Sequence, residues 1–186
     1  MSMTASAPDG VTIREQVAGD AAEVREVITL AFRDGSVADL DSALAQRPDG
    51  KALVASSDRG LVGHVRLTWG WIDAPTRLVD VLILSPLSVA PAWQGRGIGR
   101  ALVSSALKAG RELAAPLIFL EGNPGYYAKS GFEPATAHGF IRPSVRIPDG
   151  GFQVVRLRGH EPWMIGALVY PDTFWEFDRV GLRTQT

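Results

Sequence analysis

Six residues constrain this chain more than any others. Gln94-Gly95-Arg96-Gly97-Ile98-Gly99 stands between an apolar stretch that ends at Val89 and a helical pattern that begins at Ile98. Ala90-Pro91-Ala92 turns the chain just ahead of it. Glycines at alternate positions permit backbone conformations closed to other residues and let a ligand approach the main chain closely. The helix that follows offers unpaired N–H groups and a partial positive charge at its start. Strand, glycine loop and helix N-terminus, in that order, make an anion site, most often for phosphate.

Composition narrows the rest. At 186 residues, 46% hydrophobic and 21% charged, the chain suits one soluble domain with a full core. A net charge of −1 gives no global basic field, so no nucleic-acid partner is expected. With no cysteine, a disulfide scaffold, a thiol nucleophile and a cysteine-held metal are all excluded. No metal is expected. The N-terminal MSMTASAPDG lacks the basic-then-apolar order of a signal peptide. No apolar run reaches the roughly 18–20 residues that span a bilayer, so a cytoplasmic protein without membrane partners is expected.

Along the chain, residues 1–10 read as a disordered start, and 11–186 as a single domain. Val11–Arg14 alternates like a strand. Asp20 and Glu23 form a helix-capping pattern, and Val24, Val27, Ile28, Ala31 and Phe32 share one helical face. A second helix runs from Ser36, its expected cap, to Gln46, with Leu40 and Leu44 inward. Lys51–Ser56 and Leu61–Trp71 read as an antiparallel hairpin; its polar row of Val62, His64, Arg66 and Thr68 is expected to face solvent or a site. Leu78–Val89 is a long strand with a bulge or splay at Ser85-Pro86, because proline cannot donate to a ladder. A helix from Ile98 and a continuous apolar run at Leu117–Leu120 complete a βαβ unit. Asn123-Pro124 opens a helix of a turn or two before Gly131. Strands follow at Phe152–Leu157 and near Ile165–Tyr170, an extra C-terminal segment at about 160–180, and then an aromatic stretch through Phe177.

Two familiar phosphate loops do not fit. A nucleoside-triphosphate loop ends in Gly-Lys-Ser/Thr, whereas Gly99-Arg100-Ala101 stands here. A dinucleotide fold needs G-x-G-x-x-G after an early strand, and this run is G-x-G-x-G in mid-chain. Gln94-x-x-Gly97-x-Gly99 after Leu87-Ser88-Val89 instead resembles the acyl-CoA pyrophosphate loop of the GNAT superfamily of N-acetyltransferases. Leu120-Glu121-Gly122-Asn123 and Tyr127-x-Lys129-x-Gly131-Phe132 resemble its second segment. The adjacent Tyr126-Tyr127 pair is similar to that of a largely uncharacterised bacterial branch. The resemblance implies an α/β (α+β) fold: one mixed, mostly antiparallel twisted sheet, splayed at its centre and flanked by helices.

It also implies acetyl-CoA as cosubstrate and an amine as acceptor. Backbone amides of Gln94, Gly95, Arg96, Gly97, Ile98, Gly99 and Arg100 would hold the pyrophosphate. Along Leu87-Ser88-Val89, the Val89 amide would pair with pantetheine and the Leu87 amide with the thioester carbonyl, as oxyanion donor. Tyr127 corresponds to the tyrosine that protonates the leaving thiolate; Tyr126 competes for that role, the other ring packing in the core. Asn123 and Tyr126 are candidate coenzyme contacts, with helix capping the alternative for Asn123. Where some relatives carry a glutamate base, this chain has Ile83. Glu121 is the substitute base, ahead of Asp80 and His138, and His64 reads as a solvated histidine. The missing glutamate leaves open a non-catalytic acyl-CoA-binding or regulatory module. Either a monomer or a homodimer is compatible with the chain.

Overall fold

A computed structural model describes residues 7–181. The expected disorder of residues 1–10 falls mostly on residues 1–6, outside the described residues. The described chain divides into two compact units. One comprises residues up to Thr68 with Leu84–Ala109, and the other comprises Trp69–Ile83 with the chain from Gly110 onward. The fold class is mixed α/β, with a mostly antiparallel open sheet flanked by helices.

The first unit contains β1 (Thr12–Glu15), α1 (Ala21–Phe32), α2 (Gly35–Leu44) and β2 (Lys51–Ser57). It also holds the first part of β3 (Gly60–Asp73), the last part of β4 (Leu78–Val89) and most of α3 (Ile98–Glu112). Its strands lie in the order β1-β2-β3-β4. β2 is antiparallel to both neighbours, with Ala55 opposite Ile13 and Val54 opposite His64. Val54 packs with Val24 and Ile28 of α1 and with Val37 and Ala38 of α2. Cross-strand partners share a face, so α1 and α2 cover the face that carries His64. The other face belongs to α3. A Cβ on Gly63 would stand 2.9 Å from Leu102 Cδ1 and 3.3 Å from Ile98 Cγ2.

Helix boundaries follow the sequence, but two caps differ. Asp20 does not close a capping box with Glu23. Its carboxylate accepts from Arg14 at 2.6 and 2.8 Å and from the Val17 N–H at 2.8 Å, which holds its pKa down at about 2. Glu23 instead accepts from the Leu61 N–H at 2.9 Å. The cap of α2 is Asp34, not Ser36, because the Asp34 carboxylate takes both the N–H and the hydroxyl of Ser36, at 2.9 and 2.7 Å. Val24, Val27 and Ile28 are buried as their spacing predicts, whereas Phe32, beside the left-handed Arg33 that ends α1, stays 44% exposed.

The second unit holds the remaining parts of β3, β4 and α3. To these it adds β5 (Leu117–Glu121), α4 (Pro124–Tyr127), β6 (Glu133–Pro134), β7 (Phe140–Ile141), β8 (Phe152–Arg156), β9 (Gly166–Val169) and α5 (Asp172–Glu176). β4 and β5 run parallel, pairing Leu82 with Ile118 and Ile83 with Phe119, as a crossover through a helix requires. β8 is antiparallel to β5 and to β6, and β9 is antiparallel to the end of β3 and parallel to β7. The core centres on Phe119, which meets Phe140 edge-on at 5.0 Å and stacks on Phe152 at 5.6 Å. The aromatic stretch after Tyr170 folds as α5, which buries Phe174 against Tyr170.

Candidate functional site

In the first unit the loop takes the shape its glycines permit. Gly95 and Gly97 adopt φ of 76° and 88°, a region that side-chain-bearing residues rarely occupy. Gly99 lies within α3 and needs no such freedom. The Ala101 N–H bonds to the Gly97 carbonyl at 3.0 Å, the first turn of the helix. The N–H groups of Ile98, Gly99 and Arg100 precede that bond and point out of the helix start. The Gln94 side-chain amide donates to the Val89 carbonyl at 3.0 Å, tying the loop to the end of β4. Beside the loop a hollow of about 280 Å³ is lined by Asp58, Arg59, Ala92, Trp93 and Arg96, with the Arg96 guanidinium 5.0 Å from the centre of the Trp93 ring. Leu87 and Val89 are half-buried and Ser88 is buried.

The second unit carries the tyrosine pair. Asn123 caps α4, its side chain accepting from the Gly125 N–H at 2.8 Å. Neither tyrosine lies in the core. Tyr126 is 39% exposed, and Tyr127 is half-buried, its ring 4.9 Å from Tyr126 and 5.8 Å from Phe132, both edge-on. The Tyr127 ring also lies over Gly122, where a methyl group would overlap ring carbon Cε2. Gly122 is pinned by a bond from its N–H to the Gly151 carbonyl and by one from the buried Gln153 amide to its own carbonyl, each 2.9 Å. Burial, with Tyr126 adding to it, pushes the Tyr127 phenol up to about 12, so it is fully protonated at neutral pH.

Among known proteins, the profile described as "Acetyltransferase (GNAT) domain" matches residues 48–134. The uncharacterised N-acetyltransferase YjhQ of Escherichia coli K12 is 34% identical over 122 residues, which are 62% of this chain and 65% of that protein. The uncharacterised N-acetyltransferase YhbS of the same organism is 30% identical over 149 residues, 78% of this chain and 86% of that protein. The crystal structure of E. coli YhbS with CoA aligns at TM-score 0.81 and 25% identity, covering 95% of this chain and 97% of that one. A GNAT acetyltransferase from Brucella melitensis with acetyl-CoA aligns at TM-score 0.71 and 29% identity, covering 88% and 97%. The chain belongs to the GNAT family.

Within this GNAT chain the expected bases differ in their surroundings. Ile83 is fully buried. Glu121 Oε2 accepts from the Gly181 N–H at 3.1 Å, and its carboxylate faces the Tyr170 hydroxyl and Arg146; burial nevertheless raises its pKa. Asp80 is exposed, and His138 pairs with Glu133 at 3.0 Å near the surface. His64 reverses expectation. It is 0% exposed rather than solvated, and Arg66 and Thr68 of the same row are 5% and 1% exposed. The cause is Asp41 of α2, whose carboxylate takes the Arg66 guanidinium at 2.6 and 3.1 Å and lies 3.7 Å from His64 Nε2. Sequence reasoning passed over Asp41. Its signal was a lone carboxylate in the apolar stripe of Val37, Ala38, Leu40 and Leu44. Gln153, a buried amide in an otherwise apolar strand, carried a similar one. Among the described residues no cluster of side chains could hold a metal ion, and no helix is long and apolar enough to cross a membrane.

Proposed function

We propose that this protein is an acetyl-CoA-dependent N-acetyltransferase that passes the acetyl group directly to an amine. The observation that carries the reading is the loop: left-handed glycines at 95 and 97 deliver the chain into α3 with its first amides unpaired by the helix. These main-chain donors suit a pyrophosphate, whose charge the helix dipole also favours. The amide of Val89 pairs with the pantetheine arm, and that of Leu87 holds the thioester oxygen as it gains charge. Tyr127 donates its hydroxyl proton to the departing thiolate. Burial makes the phenol a weaker acid, and the same desolvation makes a thiolate a stronger base. Support also comes from YhbS and the Brucella melitensis protein, solved with CoA and acetyl-CoA respectively.

The alternative, a module that binds acyl-CoA without turning it over, is favoured by Ile83 in the place of a glutamate base. One variant separates the two. Tyr127→Phe is expected to lower kcat by about a hundredfold or more while acetyl-CoA affinity by calorimetry stays within about twofold of the parent. A parent chain that binds acetyl-CoA but releases no CoA with any member of an amine panel overturns the enzymatic reading. A parent chain that binds neither CoA nor acetyl-CoA overturns both.

A further inference from the structure

Gln153 stands in β8 between Phe152 and Val154, both fully buried, in a strand otherwise apolar up to Arg156. It is itself 1% exposed. Burying an amide costs free energy unless its polar atoms find partners, and an apolar side chain would fill the same space without that cost. The partner it has is the Gly122 carbonyl, to which its Nε2 donates at 2.9 Å.

That bond replaces one that the ladder lacks. β5 and β8 are antiparallel, with Leu120 opposite Gln153 and Glu121 opposite Phe152, so Gly122 falls opposite Gly151. Residues opposed in this way exchange both backbone bonds or neither. The Gly122 N–H does donate to the Gly151 carbonyl, at 2.9 Å. The Gly151 N–H, however, is turned to the Pro148 carbonyl, also at 2.9 Å. The Gln153 side chain takes the carbonyl left over, so the Gly122 peptide is fixed from both sides.

Tyr127 rests on that same glycine. A methyl group there would overlap Cε2 of the ring, stand 3.1 Å from Cδ2 and lie 3.4 Å from Cζ, the carbon that bears the hydroxyl. The placing of Gly122 therefore sets the height of the hydroxyl end of the ring. The Tyr127 N–H bonds to the carbonyl of Asn123, the next residue along, at 3.2 Å. All of these groups lie in the second unit.

We propose that Gln153 is a positioning residue for the Tyr127 hydroxyl, acting through the Gly122 peptide. The proposal rests on the reading of Tyr127 as the acid for the departing thiolate. Gln153 gives and takes no proton; the Tyr127 proton passes to sulfur as the C–S bond breaks, and Gln153 fixes the surface from which it is delivered. A reacting group misplaced by about 1 Å can lose as much as a hundredfold in rate.

The test uses an amine that the parent chain acetylates, with release of CoA as the readout. Gln153→Met keeps the length and bulk of the side chain and removes the donor. It is expected to lower kcat about tenfold, with KM for acetyl-CoA within about twofold. A double-mutant cycle with Tyr127→Phe then separates positioning from support of the fold. In the Tyr127→Phe background Gln153→Met is expected to lower kcat no further, because the hydroxyl it places is gone. A residue that only supports the fold would lower kcat by the same factor in both backgrounds. Gln153→Glu gives a second reading, which decides the matter if Gln153→Met fails to fold. A neutral carboxyl group donates to the Gly122 carbonyl and an ionised one cannot. Its kcat relative to the parent at the same pH should therefore climb as pH falls. Parental kcat in Gln153→Met, equal factors in the two backgrounds, or a lowered but pH-independent ratio in Gln153→Glu overturns the proposal and leaves the role of Tyr127 intact. Parental kcat in Tyr127→Phe overturns the proposal together with the reading of Tyr127 as the acid. A parent chain without turnover on any amine overturns the acetyltransferase reading as well.

Discussion

On the proposed reading, the loop at Gln94–Arg100 and the turn at Gly122–Tyr127 recognise through opposite means. The loop presents main-chain N–H groups, so its chemistry is the same whichever side chains it carries; what matters is the path of the backbone, set by φ at Gly95 and Gly97. The turn presents one phenol, and the residues around it hold that phenol in place: Gly122 by absence of a side chain, Phe132 and Tyr126 by ring contact. A shape-defined region tolerates changes of side chain and fails when its backbone is strained. A side-chain-defined region tolerates little at one atom and much elsewhere.

The two regions also differ in the sign of their buried titrations, and this gives the largest expected effect after loss of the Tyr127 hydroxyl. In the first unit His64 is held down at about 4 in the fold, against 6.5 when unfolded. Between those values the unfolded chain binds more protons, so stability is full above pH 6.5 and lost as pH falls toward 4, by about 3 kcal/mol at most. In the second unit Glu121 is raised above 4.5 by burial. There the folded chain holds the extra proton, and stability falls as pH rises through that window. Melting temperature against pH should therefore lose the part of its acid-side fall that lies between about pH 6.5 and 4 in His64→Gln, and gain stability above the Glu121 window in Glu121→Gln. The same slope in both variants would erase the distinction.

Next in size is Gly97→Val. A branched side chain at φ 88° strains the backbone by about 1–3 kcal/mol, so acetyl-CoA affinity should fall roughly tenfold or more by calorimetry, with kcat at saturating cosubstrate little changed. Gly122→Ala should do the reverse. Its methyl group meets the far edge of the Tyr127 ring, which swings aside more easily than backbone, so kcat should drop about tenfold with KM for acetyl-CoA held. If Gly122→Ala moved KM instead, the turn would be shaping the binding region after all. Smallest is Gln94→Ala, which removes one exposed tether to Val89 and should weaken acetyl-CoA binding by about threefold or less.

Much of this was legible in the chain because the signals are local. The order from β1 to β5 followed from periodicity and from Gly, Pro and Asx punctuation, and the loop from three glycines between a strand and a helix. What escaped depended on partners distant in sequence. His64, Arg66 and Thr68 alternate with apolar residues and so read as a face open to solvent or a site. They are buried because Asp41, 25 residues before Arg66, is carried over them by α2. The Asp20–Glu23 spacing matched a capping box, yet both carboxylates found better donors elsewhere, Arg14 and the Leu61 amide. The support of Tyr127 by Gly122 and Gln153 left no spacing pattern at all, since it joins a strand end, a helical turn and a strand some thirty residues on.

Gly63 has a consequence beyond packing. α3 rests on β3 at a height set by one missing methyl group, against Leu102 Cδ1 at 2.9 Å and Ile98 Cγ2 at 3.3 Å. Ile98 is also the first residue of the helix whose opening amides are proposed to cradle the anion. On the proposed reading, the grip on the coenzyme is thus adjustable from the far side of the helix, like an instrument levelled by a foot under its base. Evolution, or an engineer, could retune cosubstrate affinity at position 63 without altering a single donor atom.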